Sequence, residues 1–214
     1  MSKVLVLEDF LSEEHAEALA DVINRAEFFD YVYKTGEEEL PTVFTSAHKY
    51  VADRNNEEAK LKQSLVDGHF TYRQKRLIEH PNNCSCEYCA FVEDTLERED
   101  FAEYIQTLGD IDDRLSLLKH FASIYDSGDF LSQHPDPGYD VAFILNLTKD
   151  WKYEYGGCLT VLEDDKPRVV LPKFNSLVLL FLGDEGIEHY VSEVSRLAPH
   201  PRIAISGWFN RNSS

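Results

Sequence analysis

Arg202-Ile203-Ala204-Ile205-Ser206-Gly207-Trp208-Phe209 alternates in character residue by residue. A period of two marks a strand whose two faces meet different surroundings, so Arg202, Ala204, Ser206 and Trp208 share one face. Six further β-rich runs precede it: Leu118–Tyr125, Val141–Leu147, Cys158–Leu162, Arg168–Leu171, Ser176–Phe181 and His189–Val194. Turn signals separate them at Asp126-Ser127-Gly128, Pro137-Gly138, Gly156-Gly157, Pro172 and Gly183. Many short strands punctuated this often indicate a β-sandwich or barrel.

The N-terminal half reads differently. Val4–Leu7 is a short buried strand, after which Ser12 is placed to cap a helix with Glu13 and Glu14 in its first turn. Ala16, Leu19, Ala20, Ile23 and Ala26 then fall on one helical face. Residues 30–54 read as irregular, with a strand around Thr42–Val51. A polar helix follows over Asn56–Val66, ended by Gly68, and then a strand over Phe70–Ile78. Asn82-Asn83-Cys84 reads as a loop. Tyr88, Phe91, Val92, Leu96, Phe101, Tyr104, Ile105 and Leu108 mark helical packing closed by Gly109. The expected organisation is a support region over residues 1–115 and a β core over 116–214, joined as one compact unit of the α+β class with a mainly β core.

The chain has 214 residues, of which 43% are apolar and 12% aromatic, enough to bury a sizeable core and too many for disorder. No apolar run reaches the length of a membrane span, and the stretch after Met1 is too short for a signal peptide. The reading is therefore a soluble, cytoplasmic protein that does not engage a membrane. Its formal net charge of −18 argues against direct binding of nucleic acid, which is driven by Lys and Arg. A basic protein or peptide would be steered towards such a surface, although acidity at Glu37–Glu39, Glu93–Asp100 and Asp110–Asp113 also serves simple solvation.

Chemistry concentrates in a few residues of the last third. His134 and Asp136 flank Pro135, and His189 lies far downstream. A His and a carboxylate two residues apart, with a distant second His, form the donor set of a 2-His-1-carboxylate facial triad. Such a triad holds non-haem Fe(II) and leaves positions open for O2. Residues i and i+2 on a strand point to the same side, and proline pushes the residue before it towards extended geometry. Arg202 can fork onto the carboxylate of a dicarboxylate co-substrate, and Ser206 on the same face can add a hydroxyl contact. The competing reading makes each of these a satisfied structural residue, and it is adopted for His15, His48, His69, His120 and His200.

His80, Cys84, Cys86 and Cys89 lie within ten residues and offer four potential zinc ligands. The alternative is a loop of cytosolic thiols, since structural disulfides are improbable without export. A zinc ion there would be a structural staple, not the catalytic metal. Cys158 reads as a packed strand residue.

Several blocks together resemble the prolyl-4-hydroxylase branch of the 2-oxoglutarate/Fe(II)-dependent dioxygenases. Tyr125-Asp126-Ser127-Gly128-Asp129-Phe130-Leu131-Ser132-Gln133-His134-Pro135-Asp136 is similar to that family's lead-in to its His-x-Asp. Ile144–Trp151 followed by Tyr155-Gly156-Gly157-Cys158-Leu159, then Leu171-Pro172, Leu179-Leu180-Phe181 and His189–Val194, keep the family's order up to Gly207-Trp208-Phe209. The resemblance covers about Leu118–Phe209, with support from Val4–Ile23. It implies a double-stranded β-helix (a jelly roll) braced by N-terminal helices, with Fe(II) on His134, Asp136 and His189. It places the distal carboxylate of 2-oxoglutarate on Arg202 and gives Tyr125 a contact with co-substrate or substrate. O2 is the oxidant, and ascorbate is a candidate accessory. Ile144 stands where some members have a Tyr. The interval Arg196–Pro201 is longer than usual, which keeps Arg196 and Arg211 as alternative anchors. The implied activity is hydroxylation of a prolyl residue in a protein or peptide, with release of succinate from 2-oxoglutarate. A free amino acid or small metabolite is the alternative substrate, and a non-catalytic metal-binding jelly-roll sensor is the alternative of another class.

Overall fold

The computed structural model describes residues 3–26, 29–36, 40–44, 47–77, 86–163 and 166–212. Its β-strands pair antiparallel throughout. One layer orders β1 (Val4–Leu7), β10 (Ser176–Phe181), β7 (Val141–Asn146), β12 (Arg202–Arg211) and β5 (Leu115–Tyr125). The other orders β6 (Phe130–His134), β11 (His189–Val191), β8 (Leu159–Glu163) and β9 (Lys166–Val170). Strand β4 (Tyr72–Leu77) joins them, pairing with β5 through Lys75–Leu77 and with β6 through Tyr72 and Arg73. The expected jelly roll is thus the observed architecture.

The alternation in the sequence explains how the layers pack. Val4, Ala142, Val178, Leu180 and Tyr125 point into the space between the layers, where Leu159, Val161, Val170 and Val191 meet them. The odd-numbered residues Phe143, Leu145, Leu177, Leu179, Ile203, Ile205 and Phe209 point the other way. Three helices cover that outer face: α1 (Glu13–Arg25), α3 (Glu87–Phe91) and α4 (Glu99–Gly109). A strand buried on both sides needs apolar residues at every position, which is why Leu177–Leu180 is uninterrupted.

Helix α1 forms as read: Ser12 Oγ accepts from the backbone N–H of His15 at 3.3 Å, and Ala16, Leu19 and Ile23 are buried. The segment 30–54 departs from expectation. Asp30–Lys34 is a strand, β2, which pairs with β4 and with a short β3 (Thr42–Phe44). Helix α2 runs over Ala47–Val66, so residues 47–51 are helical and not strand. Ala47, Lys49, Ala52 and Arg54 are good helix formers, and they extend the helix towards its N-terminus. Helical packing after residue 86 is interrupted by a π-helical turn at Val92–Leu96, and Asp110, not Gly109, takes the left-handed cap of α4. The loop at 82–84 lies outside the described residues. No helix is long and apolar enough to cross a membrane among the described residues.

Phe143 ties the helices to the sheet. It is fully buried, with ring centroids 5.8 Å from both Phe101 of α4 and Phe209 of β12. We expect Phe143→Ala to lose about 3–5 kcal/mol through lost burial and the cavity left behind. A urea melt followed by near-UV dichroism measures it, and a loss below about 1 kcal/mol would show that the cluster does not hold the layers together.

Candidate metal and co-substrate site

The space between the layers is a cavity of about 190 Å³ that opens at one side. His134 ends β6 and His189 begins β11, and the two stand directly opposite each other in the antiparallel register. Their rings lie 4.2 Å apart between centroids. Asp136 approaches both, Oδ1 at 3.5 Å from His134 Nε2 and Oδ2 at 3.7 Å from His189 Nε2. One donor atom from each of the three residues lies within 4.8 Å of the others.

The backbone route to this cluster differs from the one expected. Asp136 is not part of an extended strand with His134; β6 stops at His134, and Asp136 has φ of 55°, in the left-handed region. The turn is held from outside. Ile187 N–H donates to Pro135 O at 2.9 Å, and Gly186, at φ of 77°, passes so close that a Cβ there would sit 1.9 Å from that oxygen. Only glycine fits both the conformation and the contact.

Hydrogen bonds set the tautomers. His134 Nδ1–H donates to Ser132 O at 2.9 Å, and His189 Nδ1–H donates to Ile187 O at 2.6 Å. A carbonyl only accepts, so each Nδ1 carries a proton and Nε2 is the nitrogen that each ring turns towards Asp136. Burial, helped by the neighbouring His189, pushes the His134 imidazole down to about 4, which keeps it neutral and able to ligate. Trp208 Nε1–H donates to Asp136 Oδ2 at 2.8 Å and fixes the carboxylate, while Phe70 packs on the His134 ring at 4.6 Å. Two imidazoles and one carboxyl side chain suit a divalent transition metal with open positions, so the residues fit Fe(II).

Arg202 lies in the same cavity, 2% exposed. The long segment before it does not displace it, because Arg202 pairs in register with Tyr125 of β5. Its guanidinium sits 4.9 Å over the Tyr125 ring, and Nη2–H donates to Asn146 Oδ1 at 3.3 Å. Asn146 is oriented in turn by its Nδ2–H donating to Ser176 Oγ at 3.2 Å. Gly157 brings the chain against the stem of Arg202, a Cβ there meeting Arg202 Cδ at 3.1 Å. Arg202 Nε is buried with no hydrogen-bond partner, and no carboxylate pairs with this guanidinium among the described residues. Burial lowers its affinity for the proton and raises that of the Tyr125 phenol, yet an Arg stays charged. A buried cation with an unsatisfied N–H is costly, and an incoming carboxylate satisfies it.

Ser206 lines the cavity on the same strand face, as does Ile144 of β7. Arg211 is committed elsewhere, its Nε–H donating to Asp140 Oδ1 at 2.6 Å, and Arg196 borders a different hollow beside Glu193. Neither reaches the cavity. His80 and Cys84 lie outside the described residues, while Cys86 and Cys89 sit half-buried at the start of α3. Cys158 is buried beside β8, as a packed residue should be. The residues that sequence reasoning passed over are Asn146, Gly186, Phe70 and the contributions of β4. Only Asn146, polar within an apolar run, gave a signal.

Residues 120–210 match the profile of the 2OG-Fe(II) oxygenase superfamily. The matched segment runs from β5 to β12 and includes His134, Asp136, His189 and Arg202. Mouse (Mus musculus) prolyl 3-hydroxylase OGFOD1 is 32% identical over 120 residues, a match covering 52% of this chain and 22% of that protein. The chain thus spans about a fifth of that curated relative's length. Two solved structures share the fold. A Pseudomonas putida prolyl-4-hydroxylase superposes with a TM-score of 0.62 at 16% identity, covering 99% of this chain and 94% of that one. A Trichoplax adhaerens prolyl hydroxylase, in complex with a hypoxia-inducible-factor oxygen degradation domain peptide, gives 0.64 at 15% identity, covering 98% and 84%. The likeness to prolyl hydroxylases read from the sequence blocks agrees with these matches.

Trp208→Phe removes the donor to Asp136 while keeping an aromatic ring. We expect Fe(II) or Mn(II) affinity to fall by roughly tenfold to a hundredfold in calorimetric titration, with the fold retained. An unchanged affinity would show that Asp136 needs no such support or is not a ligand.

Proposed function

We propose that this protein is an Fe(II)- and 2-oxoglutarate-dependent dioxygenase that hydroxylates a prolyl residue in a protein or peptide. The observation that carries it is the pairing, in one cavity, of the three-residue donor cluster with the buried, unsatisfied guanidinium of Arg202. His134, Asp136 and His189 would hold the metal. Bound there, iron with 2-oxoglutarate and O2 would supply the oxidant, with succinate and CO2 as the co-products. Arg202, with Asn146 behind it, binds the distal carboxylate, and Tyr125 and Ser206 border the same pocket. Phe70, Leu131, Leu159 and Val191 keep water from the reacting centre.

A metal-binding sensor module would need the His and Asp residues but not an unpaired buried Arg, so the guanidinium favours turnover of a carboxylate co-substrate. The prolyl target rests on the relatives, which are named as prolyl hydroxylases acting at either ring position. A free amino acid or small metabolite is the other substrate class considered.

Succinate formation from 2-oxoglutarate, with Fe(II), ascorbate and proline-containing peptides, tests the reading, together with gain of one oxygen atom by the peptide. We expect His134→Ala to abolish metal binding and turnover. Arg202→Met should raise the 2-oxoglutarate concentration for half-saturation at least about thirtyfold, roughly 2 kcal/mol, as expected for loss of one partner of a buried charge pair. Absence of both succinate formation and 2-oxoglutarate binding in the unaltered protein would sink the proposal.

A further inference from the structure

Two cations at the rim of the cavity are not among the residues assigned above to metal or co-substrate. Arg76 of β4 and Lys119 of the neighbouring β5 line it. Strand alternation puts them there: Tyr72, Gln74 and Arg76 share the inward face of β4, and Lys119, Phe121 and Tyr125 that of β5. The cavity grades from Arg202, fully enclosed, through half-buried Arg76 to exposed Lys119.

Both side chains lie on aromatic rings. The Arg76 guanidinium is 4.3 Å from the Phe121 centroid and 4.7 Å from that of Tyr72. Lys119 Nζ is 4.4 Å from the Trp208 centroid and 4.6 Å from that of Tyr139. Phe121 and Trp208 are themselves 5.6 Å apart, so an unbroken aromatic floor joins the two cations. With its amide oriented to satisfy both neighbours, Gln74 accepts from Arg76 Nε at 2.7 Å and donates to the Tyr125 hydroxyl at 2.7 Å, which holds the guanidinium in place.

What these cations lack, among the described residues, is a carboxylate partner. The chain carries 39 acidic and 21 basic residues, so acids are plentiful around its cations. Lys75, one residue before Arg76 and on the opposite face, meets Asp126 at 2.6 Å, and Arg73, Arg114 and Arg211 are paired too. Among the described residues no carboxylate pairs with Arg76 or Lys119, and the only acid lining the cavity is Asp136. Solvation alone would not select two inward-facing cations on aromatic supports in so acidic a chain. Aromatic contact holds the charges in position without neutralising them.

We propose that the substrate is a peptide segment with an acidic side chain close to the hydroxylated residue, received between Arg76 and Lys119. This rests on the activity proposed above. Arg76 and Lys119 act as specificity residues, and the aromatic floor between them takes the apolar part of the segment. The surrounding negative surface repels acidic chains as a whole. Selection therefore falls on a local acid in a segment that is not acidic throughout.

The test uses the full chain, loaded with Fe(II) and 2-oxoglutarate under argon, to capture short proline-centred peptides with randomised flanks. We expect Asp or Glu to be enriched about threefold near the proline, the scale of a rim ion pair. Lys119→Arg should keep the enrichment, Lys119→Gln should lose most of it, and Arg76→Glu with Lys119→Glu should favour Lys or Arg instead. Melting curves of each variant separate loss of selection from loss of fold. Neutral or basic flanks in the unaltered protein, no captured peptide, or full selection by Lys119→Gln would each overturn the proposal. So would turnover of free proline without peptide capture, which would assign the cations to an amino acid's own carboxylate. Calorimetric binding of 2-oxoglutarate is measured in parallel: its absence counts against the activity itself, and its presence isolates the failure to substrate choice.

Discussion

The direct opposition of His134 and His189 across β6 and β11 is the constraint on which the site depends. Opposed residues in an antiparallel pair present their side chains on the same face within about 5 Å. The two imidazoles therefore meet through strand pairing, and both Nδ1 protons go to carbonyls two residues earlier, Ser132 on β6 and Ile187 just before β11. Only Asp136 must be carried in by a turn, and that turn is locked by Gly186 and Ile187, which lead into the strand bearing His189. A slip of one residue in this pairing would turn one imidazole to the other face and scatter the donors.

The facing layer has a complementary task. Strand β12 carries Arg202 at its enclosed end and Trp208 near the rim, both on the inward face. One strand thereby offers a cation to the depth of the cavity and a hydrogen bond to the carboxylate of the donor cluster. The other face of β12 is given to Ile203, Ile205 and Phe209, packed beneath the helices. Chemistry and stability occupy alternate residues of the same segment, so changes to one set need not repack the other.

Much of this was legible because period-two alternation and turn residues are local. Arg202–Phe209 declared its two faces, and seven β-rich runs with their turns implied two layers. The geometry at Asp136 was not legible. An i, i+2 spacing suggests a strand, but the conformation is left-handed and depends on a glycine fifty residues away. Residues 30–54 misled because Thr42–Val51 mixes β-branched with helix-forming residues, and the decision between strand and helix came from partners elsewhere. Arg76 and Lys119 could not be recognised as cavity residues before β4 was known to bridge the layers. Arg202 was readable as a cation opening a strand; that its Nε–H has no hydrogen-bond partner is a property of three dimensions only.

The placement of β12 bears on how the molecule comes to exist. It is the last strand of the sequence, yet it sits between β5 and β7, near the middle of its layer, and pairs with both. Until it has left the ribosome, β5 and β7 each present a naked edge rich in Ile, Leu and Phe. Such edges recruit strands from other chains. The sheet therefore closes at its centre only when this late segment inserts, and the same insertion brings Arg202 and Trp208 into the cavity.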